Sequence, residues 1–199
     1  MMAINTNHLH NNEMDKCEVL VLLSGGVDSA ACLHFYKELG RLPCALFVDY
    51  GQLAAEIEKK CAREIVSFYS VPIMISKWSG PTIKNSGLIN GRNAFLLFAA
   101  LMERPENINI ISIGLHSGVD YPDCSQEFIK EIQSIIDIYD KAKVDISAPF
   151  INFTKYEIYS YCRKNNIPIE LTYSCEEGKL PPCRKCLSCI DRELLNVSC

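Results

Sequence analysis

Apolar residues occur along the chain in two patterns, and each pattern predicts one type of secondary structure. Short continuous apolar runs predict strands buried on both faces, and they lie at 17–23, 44–50, 71–76, 107–115 and 144–150. Between these runs, apolar residues recur at spacings of about three or four, as on one face of a helix. Two such faces comprise Ala54, Ile57, Cys61, Ile65 and Phe68, and Phe128, Ile132, Ile135 and Ile136. The alternation predicts an α/β fold with a mainly parallel five-stranded sheet and helices on both faces.

Local signals mark where several of the helices begin and end. Gly40 is a natural C-cap for the helix that follows Asp28, and another helix starts near Arg92. Thr154 and Glu157 have the spacing of a capping box, which predicts a further helix start. Because ligands of parallel sheets bind at the carboxyl ends of the strands, we expect the functional site at that edge.

The composition is that of an ordinary globular protein, with 199 residues, 48% hydrophobic and 22% charged. It predicts one domain over 17–199, preceded by a flexible polar tail at 1–16. No apolar run reaches the length of a membrane span, and the first residues lack the apolar centre of a secretory signal. We therefore expect a cytoplasmic protein with no membrane partner.

A net charge of -4 without a long basic run favours a small-molecule substrate over a nucleic acid.

The stretch SGGVDS, at 24–29, joins the first strand to the first helix. Gly25 and Gly26 adopt positive φ angles easily and let backbone N–H groups approach a ligand, while Ser24 and Ser29 add hydroxyl donors. The N-terminus of the following helix attracts anions. The stretch lacks the lysine of a P-loop and the third glycine of a dinucleotide fingerprint. It resembles the pyrophosphate loop of the N-type ATP pyrophosphatases, which cleave ATP between the α and β phosphates. The alternative is an ordinary glycine-rich turn.

This resemblance implies an ATP site built from two stretches. Asp28 is placed to help hold the Mg2+ that accompanies ATP. The stretch DYGQ ends the second strand at the same edge of the sheet and is expected to border the nucleotide, although a Tyr-Gly turn is common elsewhere. The expected ATP-binding residues are Leu23, Ser24, Gly25, Gly26, Val27, Asp28, Ser29, Asp49, Tyr50, Gly51 and Gln52.

Eleven cysteines is a high count for a chain without an export signal, and clustered cysteines in a reducing compartment typically bind metal. Four thiolates within 173–192 satisfy a tetrahedral structural zinc site, and they belong to Cys175, Cys183, Cys186 and Cys189. A disulfide or free thiols are the alternative. Cys199 is expected to be a loose thiol. Small buried side chains are expected in apolar stretches at Cys17, Cys32, Cys44, Cys61 and Cys162.

The loop and the cysteine segment together resemble the 7-cyano-7-deazaguanine synthase family of queuosine biosynthesis. The matching stretches cover most of 17–195 and include LLSGGVDSA, VDYGQ, GRNAFLLFAA, IGLHSGVDYPDCSQEFI and TYSCEEG. The resemblance implies an adenine-nucleotide hydrolase-like fold, a homodimer and an ATP-dependent carbon–nitrogen ligase. ATP would adenylate the carboxylate of 7-carboxy-7-deazaguanine, a poor electrophile that thereby gains a leaving group. Ammonia would displace AMP to give an amide, and a second activation would give the nitrile.

The same resemblance implies roles for individual side chains. Lys155 and Arg92 are the cations expected on the phosphates, with Asp28 as the third catalytic residue. The alternative for each cation is a surface position in the first turn of a helix. The expected substrate-binding residues are Arg92, Asn93, His116, Tyr121, Asp123, Cys124 and Glu127.

Three of these pocket residues have competing interpretations. Asp123 or Glu127 would accept from a guanine-like N–H edge, but Asp123 is equally placed to cap the helix near Ser125. Asn93 has the alternative role of a helix cap. His116 is expected to be a structural loop residue rather than an acid–base group.

Two departures from the family pattern lie on the substrate side. The segment before Arg92 is short, and Asn90 stands near where the family has proline. After Cys124 the family has Arg-Pro, whereas this chain has Ser125 and Gln126, so an arginine that would pair with a substrate carboxylate is missing. One alternative is therefore a related enzyme that transfers an activated deazaguanine acid to another nucleophile, such as a protein amine. A tRNA-modifying enzyme with the same pyrophosphate loop (PP-loop) is a second alternative, and a non-catalytic zinc module is a third.

Overall fold

The computed structural model of this chain describes residues 14–80, 88–118, 121–141 and 143–195. Residues 1–13 of the expected polar tail and Cys199 lie outside the described residues. The strands are β1 (Val19–Leu22), β2 (Pro43–Asp49), β3 (Ile73–Lys77), β4 (Ile110–Ser112) and β5 (Asp145–Ser147). The helices are α1 (Val27–Glu38), α2 (Ala55–Tyr69), α3 (Arg92–Glu103), α4 (Gln126–Asp140), α5 (Lys155–Lys164) and α6 (Leu187–Leu194), and a short 3-10 helix spans Ile169–Leu171.

The five strands form one parallel sheet in the order β3-β2-β1-β4-β5. Val19 of β1 pairs with Pro43 on one side and with Ile110 on the other. Successive strands run outward from β1 to β3, and the chain then returns to place β4 on the opposite side of β1. Such a reversal opens a crevice at the carboxyl ends of the two central strands. The predicted α/β class and the parallel five-stranded sheet are confirmed.

Alternate residues of each strand face opposite layers of helices, because successive side chains of a strand point to opposite faces. Val19 and Val21 pack with buried residues of α1, α2 and α5. Leu20 and Leu22 pack with buried residues of α3 and α4 on the other face. Continuous apolar strands are therefore buried on both sides, as the sequence predicted. Among the described residues, no helix is both long and apolar enough to cross a lipid bilayer.

The predicted inner faces of two helices were partly wrong. Phe68 of α2 is 57% exposed and Ile135 of α4 is 43% exposed. Helix α2 turns Ala62, Ile65 and Val66 to the sheet instead. A spacing of three or four fits two overlapping faces of a helix, and only the packing partner decides between them.

The scattered cysteines behave mainly as small apolar side chains. Cys17, Cys32, Cys44 and Cys162 are buried, as expected. Cys61 is half-buried and packs against the group of cysteines in the C-terminal segment.

Candidate active site

A cavity of about 260 Å3 lies at the carboxyl ends of β1, β2 and β4. The loops that follow these strands line it, together with the first turns of α1, α3 and α5. Of the expected site residues, the lining includes Leu23, Ser24, Gly26, Val27, Asp28, Ser29, Tyr50, Gln52, Arg92, Asn93, His116, Tyr121, Cys124 and Lys155. Gly25, Asp49, Gly51, Asp123 and Glu127 are not part of the lining.

The glycine loop leaves the N-terminus of α1 without a side-chain cap. Gly26 is the N-cap residue and makes no side-chain cap hydrogen bond, while the Ser24 hydroxyl accepts from the Gly26 N–H over 3.4 Å. The Ser29 hydroxyl donates to the carbonyl of Gly26 over 2.9 Å, and the Ser24 and Ser29 hydroxyls lie 3.3 Å apart. Free N–H groups and the helix dipole favour a bound anion. The loop is therefore suited to hold phosphate at the cavity wall.

Gly25 allows this loop to pack directly on α2. Its φ angle is +82°, and an added Cβ would lie 2.5 Å from the carbonyl oxygen of Glu58. No other residue type combines a positive φ angle with the absence of that Cβ. Gly25 thus shapes the loop from behind rather than lining the cavity.

Lys155 and Asp28 form an ion pair inside the cavity. The Lys155 Nζ lies 2.6 Å and 2.8 Å from the two carboxylate oxygens of Asp28. Their side chains are 20% and 23% exposed. Lys155 is the first residue of α5, which a complete capping box between Thr154 and Glu157 initiates. The predicted capping box is confirmed, and it fixes the backbone from which Lys155 reaches the glycine loop.

The DYGQ stretch forms a tight turn through its own side chains. The Asp49 carboxylate accepts from the Gly51 N–H over 3.1 Å, and the side-chain amide oxygen of Gln52 accepts from the Tyr50 N–H over 2.9 Å. The Gln52 amide then donates to a carboxylate oxygen of Glu58 over 3.0 Å. Tyr50 and Gln52 face the cavity, whereas Asp49 and Gly51 hold the turn.

Arg92 and Asn93 open α3 at the opposite side of the cavity. Arg92 lies close to Tyr50: burial raises the pKa of the Tyr50 hydroxyl, and the positive charge of Arg92 opposes that rise. Asn93 is not the N-cap, a position that Gly91 occupies. Instead, the Asn93 amide donates to the carbonyl of Asp123 over 3.3 Å and contacts the Cys124 sulfur at 3.9 Å.

Asp123 serves a helix end other than the one considered from the sequence. Its carboxylate accepts from the backbone N–H of Asn93 over 3.4 Å, within the first turn of α3. The N-cap of α4 is Ser125, whose hydroxyl accepts from the Phe128 N–H over 3.1 Å. The idea that Asp123 caps α4 is therefore wrong, and its carboxylate instead satisfies a free N–H of α3.

His116 is buried at the cavity wall, where a hydrogen bond determines which of its ring nitrogens carries the proton. Its Nδ1 accepts from the Gly118 N–H over 3.0 Å, so a neutral ring carries its proton on Nε2. Burial lowers the pKa of His116, and the carboxylate of Asp28 partly opposes this effect. His116 is thus a neutral hydrogen-bond donor at neutral pH.

Several lining residues were not among the expected site residues. Glu58 lies near the start of α2, and burial raises the pKa of its carboxyl group. Six others come from the cysteine segment, which folds back over the crevice. These residues are Tyr173, Ser174, Glu176, Leu187, Ser188 and Asp191.

The four expected metal ligands converge beside this cavity. The sulfurs of Cys175, Cys183, Cys186 and Cys189 all lie within 4.8 Å of one another, and those of Cys183 and Cys189 are 3.9 Å apart. A tetrahedral ion with bonds of about 2.3 Å to sulfur separates its ligands by roughly 3.8 Å. The donor set therefore fits a single four-coordinate metal ion.

Backbone N–H groups around the sulfurs favour thiolates. The Cys183 N–H donates to the Cys175 sulfur over 3.4 Å, and the Cys186 N–H donates to the Cys183 sulfur over 3.3 Å. Burial alone would raise the pKa of Cys175, but N–H groups of Cys183, Lys179 and Glu177 bring that pKa below its usual value. A metal would thus meet at least one preformed thiolate.

Comparisons with known proteins agree with this geometry. The family model described as "Queuosine biosynthesis protein QueC" matches residues 18–90 and 76–194. The 7-cyano-7-deazaguanine synthase of Campylobacter jejuni subsp. doylei is 32% identical, over 88% of this chain and 91% of its own. That of Aquifex aeolicus is 31% identical, over 88% of this chain and 94% of its own.

Two solved structures share the fold at low sequence identity. NMN synthetase from Francisella tularensis is 17% identical with a TM-score of 0.50, over 98% of this chain and 86% of its own. The U34-tRNA thiolase NcsA from Methanococcus maripaludis, solved with its 4Fe-4S cluster, is 14% identical with a TM-score of 0.55. The alignment covers 95% of this chain and 72% of the thiolase. From the family match and the synthase relatives, we conclude that the chain belongs to the QueC family of ATP-dependent ligases.

Proposed function

We propose that this chain converts 7-carboxy-7-deazaguanine, ammonia and two molecules of ATP to 7-cyano-7-deazaguanine. A carboxylate oxygen attacks the α phosphorus of ATP, the bond to the bridging oxygen breaks, and pyrophosphate leaves. Ammonia attacks the resulting acyl carbon, and AMP and a proton are released to give the amide. The amide oxygen attacks the α phosphorus of a second ATP, and a second pyrophosphate and a proton leave; loss of AMP and the remaining N–H proton then gives the nitrile. Adenylation supplies the leaving group that a carboxylate lacks.

The pairing of Lys155 with Asp28 beside the uncapped N-terminus of α1 is the main support for this proposal. A cation and several free N–H groups at one point of a cavity stabilise the charge that develops on departing pyrophosphate. The parallel sheet places this point at the crevice beside β1, where nucleotides bind in related architectures. The names of the synthase relatives state a product, 7-cyano-7-deazaguanine, which supports the proposed acid as the substrate.

Lys155 changes partners when ATP binds, in this proposal. Its ammonium leaves Asp28 and contacts the phosphates, and the Asp28 carboxylate becomes available to the metal that accompanies ATP. Magnesium supplies charge neutralisation on the phosphate oxygens when bound. Arg92 lies across the cavity and offers a second cation to the phosphates or the substrate carboxylate.

The deazaguanine is proposed to lie between the loop after β4 and the start of α3. Tyr121 and Cys124 line this part of the cavity. Ser125 caps α4, and the Gln126 amide donates to Asn152 over 2.7 Å. Both side chains are neutral, so neither supplies the positive charge of the family's arginine. Arg92 is the arginine among the described lining residues, which makes it our candidate for binding the substrate carboxylate.

Zinc is our proposed occupant of the cysteine cluster. The four sulfurs all lie within 4.8 Å of one another. Such short distances suit a single metal ion better than an iron–sulfur cluster, in which each cysteine binds a different iron atom. Four thiolate ligands leave no position for a reactive water, so the ion is structural. Elemental analysis of protein purified without added metal tests this, and about one zinc per chain is the expected result.

The reaction is tested by incubating the enzyme with ATP, ammonia and 7-carboxy-7-deazaguanine, and identifying products by mass spectrometry. The expected products are the nitrile, AMP and pyrophosphate. Accumulation of the acyl adenylate or its hydrolysis product without nitrile would favour transfer to another nucleophile, such as a protein amine. Absence of pyrophosphate release with this acid, in metal-loaded protein, would refute the proposal.

A homodimer in the cytoplasm is the assembly and location that we propose from the family resemblance. Sedimentation of the purified protein measures its mass directly, and a mass of about two chains is expected. A chain that sediments as a monomer at micromolar concentration would contradict the dimer.

A further inference from the structure

The cysteine segment, residues 173–192, contacts one stretch of the proposed ATP site, the glycine loop, and the chain directly after the other stretch, DYGQ. The Tyr173 N–H donates to the carbonyl of Gly25 over 2.9 Å, which joins the segment to the glycine loop. The Tyr173 hydroxyl donates to the carbonyl of Lys179 over 2.7 Å, within the same segment. A single residue therefore connects the glycine loop with the turn that carries the cysteines.

A second contact joins the cysteine segment to the chain that follows DYGQ. Gly178 has a φ angle of +63°, and an added Cβ would lie 2.8 Å from the carbonyl carbon of Leu53 and 3.0 Å from the Cα of Ala54. The Gly178 N–H also donates to the carbonyl of Cys175 over 3.1 Å. The backbone between two ligand cysteines thus lies directly on the turn that precedes α2.

Side chains of the metal cluster are packed together with this turn. Ala54 is buried with Tyr173, Cys175 and Cys189 in one small apolar group. Ile57 and Cys61 of α2 pack against the same group. Loss of order at the cysteines would therefore remove packing partners from the start of α2, which also supports Gly25 through the carbonyl of Glu58.

Arg192 connects α6 to the segment that holds the glycine loop. It is 1% exposed. Its guanidinium donates to the carbonyl of Thr172 over 3.1 Å and to the Ser174 hydroxyl over 3.2 Å. Cys189 lies one turn earlier on the same helix. A metal that orders Cys189 therefore also fixes the backbone on both sides of Tyr173.

We propose that Tyr173 and Gly178 are positioning residues through which the metal-loaded cysteine segment holds the two ATP-binding loops in place. Metal and ATP then bind cooperatively, because each orders the backbone that the other requires. This coupling rests on one part of the proposed function, namely that ATP binds in the cavity. Binding coupling is reciprocal, so ATP must raise the metal affinity by the same factor as metal raises the ATP affinity.

The first measurement is the affinity for α,β-methylene-ATP, which cannot be cleaved between the α and β phosphates. Titration calorimetry compares metal-loaded protein with protein stripped by a chelator, and the expected loss of affinity is about tenfold or more. Competition with a chromophoric chelator then measures metal affinity with and without the analogue. A matching increase is expected, and equal metal affinities in the two conditions would overturn the proposal.

Gly178→Ala tests the contact without touching a ligand cysteine. The variant is expected to retain its metal and its fold, measured by elemental analysis and circular dichroism, and to bind the analogue about tenfold more weakly. Gly40→Ala is the matched control, since its φ angle of +71° imposes similar strain and, apart from its chain neighbours, no described residue has an atom within 4 Å of the added Cβ. It is expected to bind the analogue as the parent does.

Tyr173→Phe is a second variant that removes only one hydroxyl, in case Gly178→Ala does not fold. It loses the bond to Lys179 and the hydroxyl's hydrogen bond with Cys175, and keeps the backbone bond to Gly25. A smaller loss of analogue affinity is therefore expected, with metal retained. Parental affinity in Tyr173→Phe together with parental affinity in Gly178→Ala would overturn the proposal. If the metal-loaded parent itself fails to bind the analogue, the proposed function fails instead.

Discussion

The ammonium of Lys155 contacts both carboxylate oxygens of Asp28, at 2.6 Å and 2.8 Å, across 127 positions of sequence. The two residues lie in the first turns of different helices, α5 and α1, whose N-termini meet at the carboxyl edge of the sheet. Each partner therefore holds the other in the cavity until a ligand competes. A lysine paired with a single carboxylate is well placed to transfer to a more highly charged phosphate.

Replacement of Lys155 by methionine is expected to lower pyrophosphate release by about 100-fold or more, because a cation on the leaving group is lost. The measurement is pyrophosphate release with ATP and 7-carboxy-7-deazaguanine at saturating concentrations. Lys164→Met is the matched control, since Lys164 is exposed at the other end of the same helix. A Lys155→Met variant with the parental rate would show that the lysine has only a structural role.

Replacement of Gly25 by alanine is expected to destabilise the fold and weaken ATP binding together. The added Cβ would lie 2.5 Å from the carbonyl of Glu58, in addition to a strained φ angle of +82°. Gly40→Ala shares the strain and its Cβ meets no neighbour in the described part of the chain, so it isolates the cost of a positive φ angle, about 1 kcal/mol. Chemical denaturation and nucleotide titration of both variants separate the two effects, and equal losses in the two variants would contradict the close packing of the loop.

Replacement of Thr154 by alanine is expected to lower the free energy of unfolding by about 1 kcal/mol, the usual value of an N-cap. The Thr154 hydroxyl accepts from the Glu157 N–H, and the Glu157 carboxylate accepts from the Thr154 N–H over 2.7 Å. Because Lys155 is the next residue, we also expect weaker binding of ATP. Ser160→Ala, at an exposed position in the middle of the same helix, should leave both properties unchanged. Denaturant titration measures the stability of each variant, and a parental value for Thr154→Ala would contradict the role of the cap.

The parts of the site that lie close together in sequence could be predicted from it. Ser24 to Ser29 joins a buried strand to a helix, and Thr154 with Glu157 begins another helix, so local rules suffice for both. The four cysteines also lie within one short segment, so the sequence predicts the metal ligands, and the structure provides the distances between their sulfurs. These features depend on spacing alone.

Contacts between distant segments could not be predicted from local patterns. Asp123 binds the N-terminus of α3 rather than that of α4, because α3 approaches it across the cavity and Ser125 already caps α4. Phe68 is exposed because α2 presents Ala62, Ile65 and Val66 to the sheet instead. The cavity residues of the cysteine segment, such as Asp191, face the site only because that segment folds back over it.

Glu58 provides a test of the electrostatics of the cavity through pH. Burial raises the pKa of its carboxyl group, and neither the hydrogen bond from Gln52 nor the charge of Arg92 fully offsets this. A raised pKa means that the folded state loses stability as pH rises from the unfolded value, about 4.3, through the higher folded value. Glu58→Gln removes this loss, so the variant should be more stable than the parent above that window, with the advantage disappearing below it.

Denaturant titrations at pH 4 and pH 8 measure this difference directly. Glu56→Gln is the matched control on the same helix, since the Glu56 carboxylate is exposed and pairs with Lys59 at 2.6 Å. Glu56→Gln breaks that surface pair and should lower the free energy of unfolding by about 0–1 kcal/mol at pH 8, whereas Glu58→Gln should raise it. A Glu58→Gln variant that is less stable than the parent at pH 8 would mean that Arg92 stabilises the carboxylate by more than burial costs. Glu58 would then act as the counter-ion that holds Arg92 in the cavity before a substrate carboxylate replaces it.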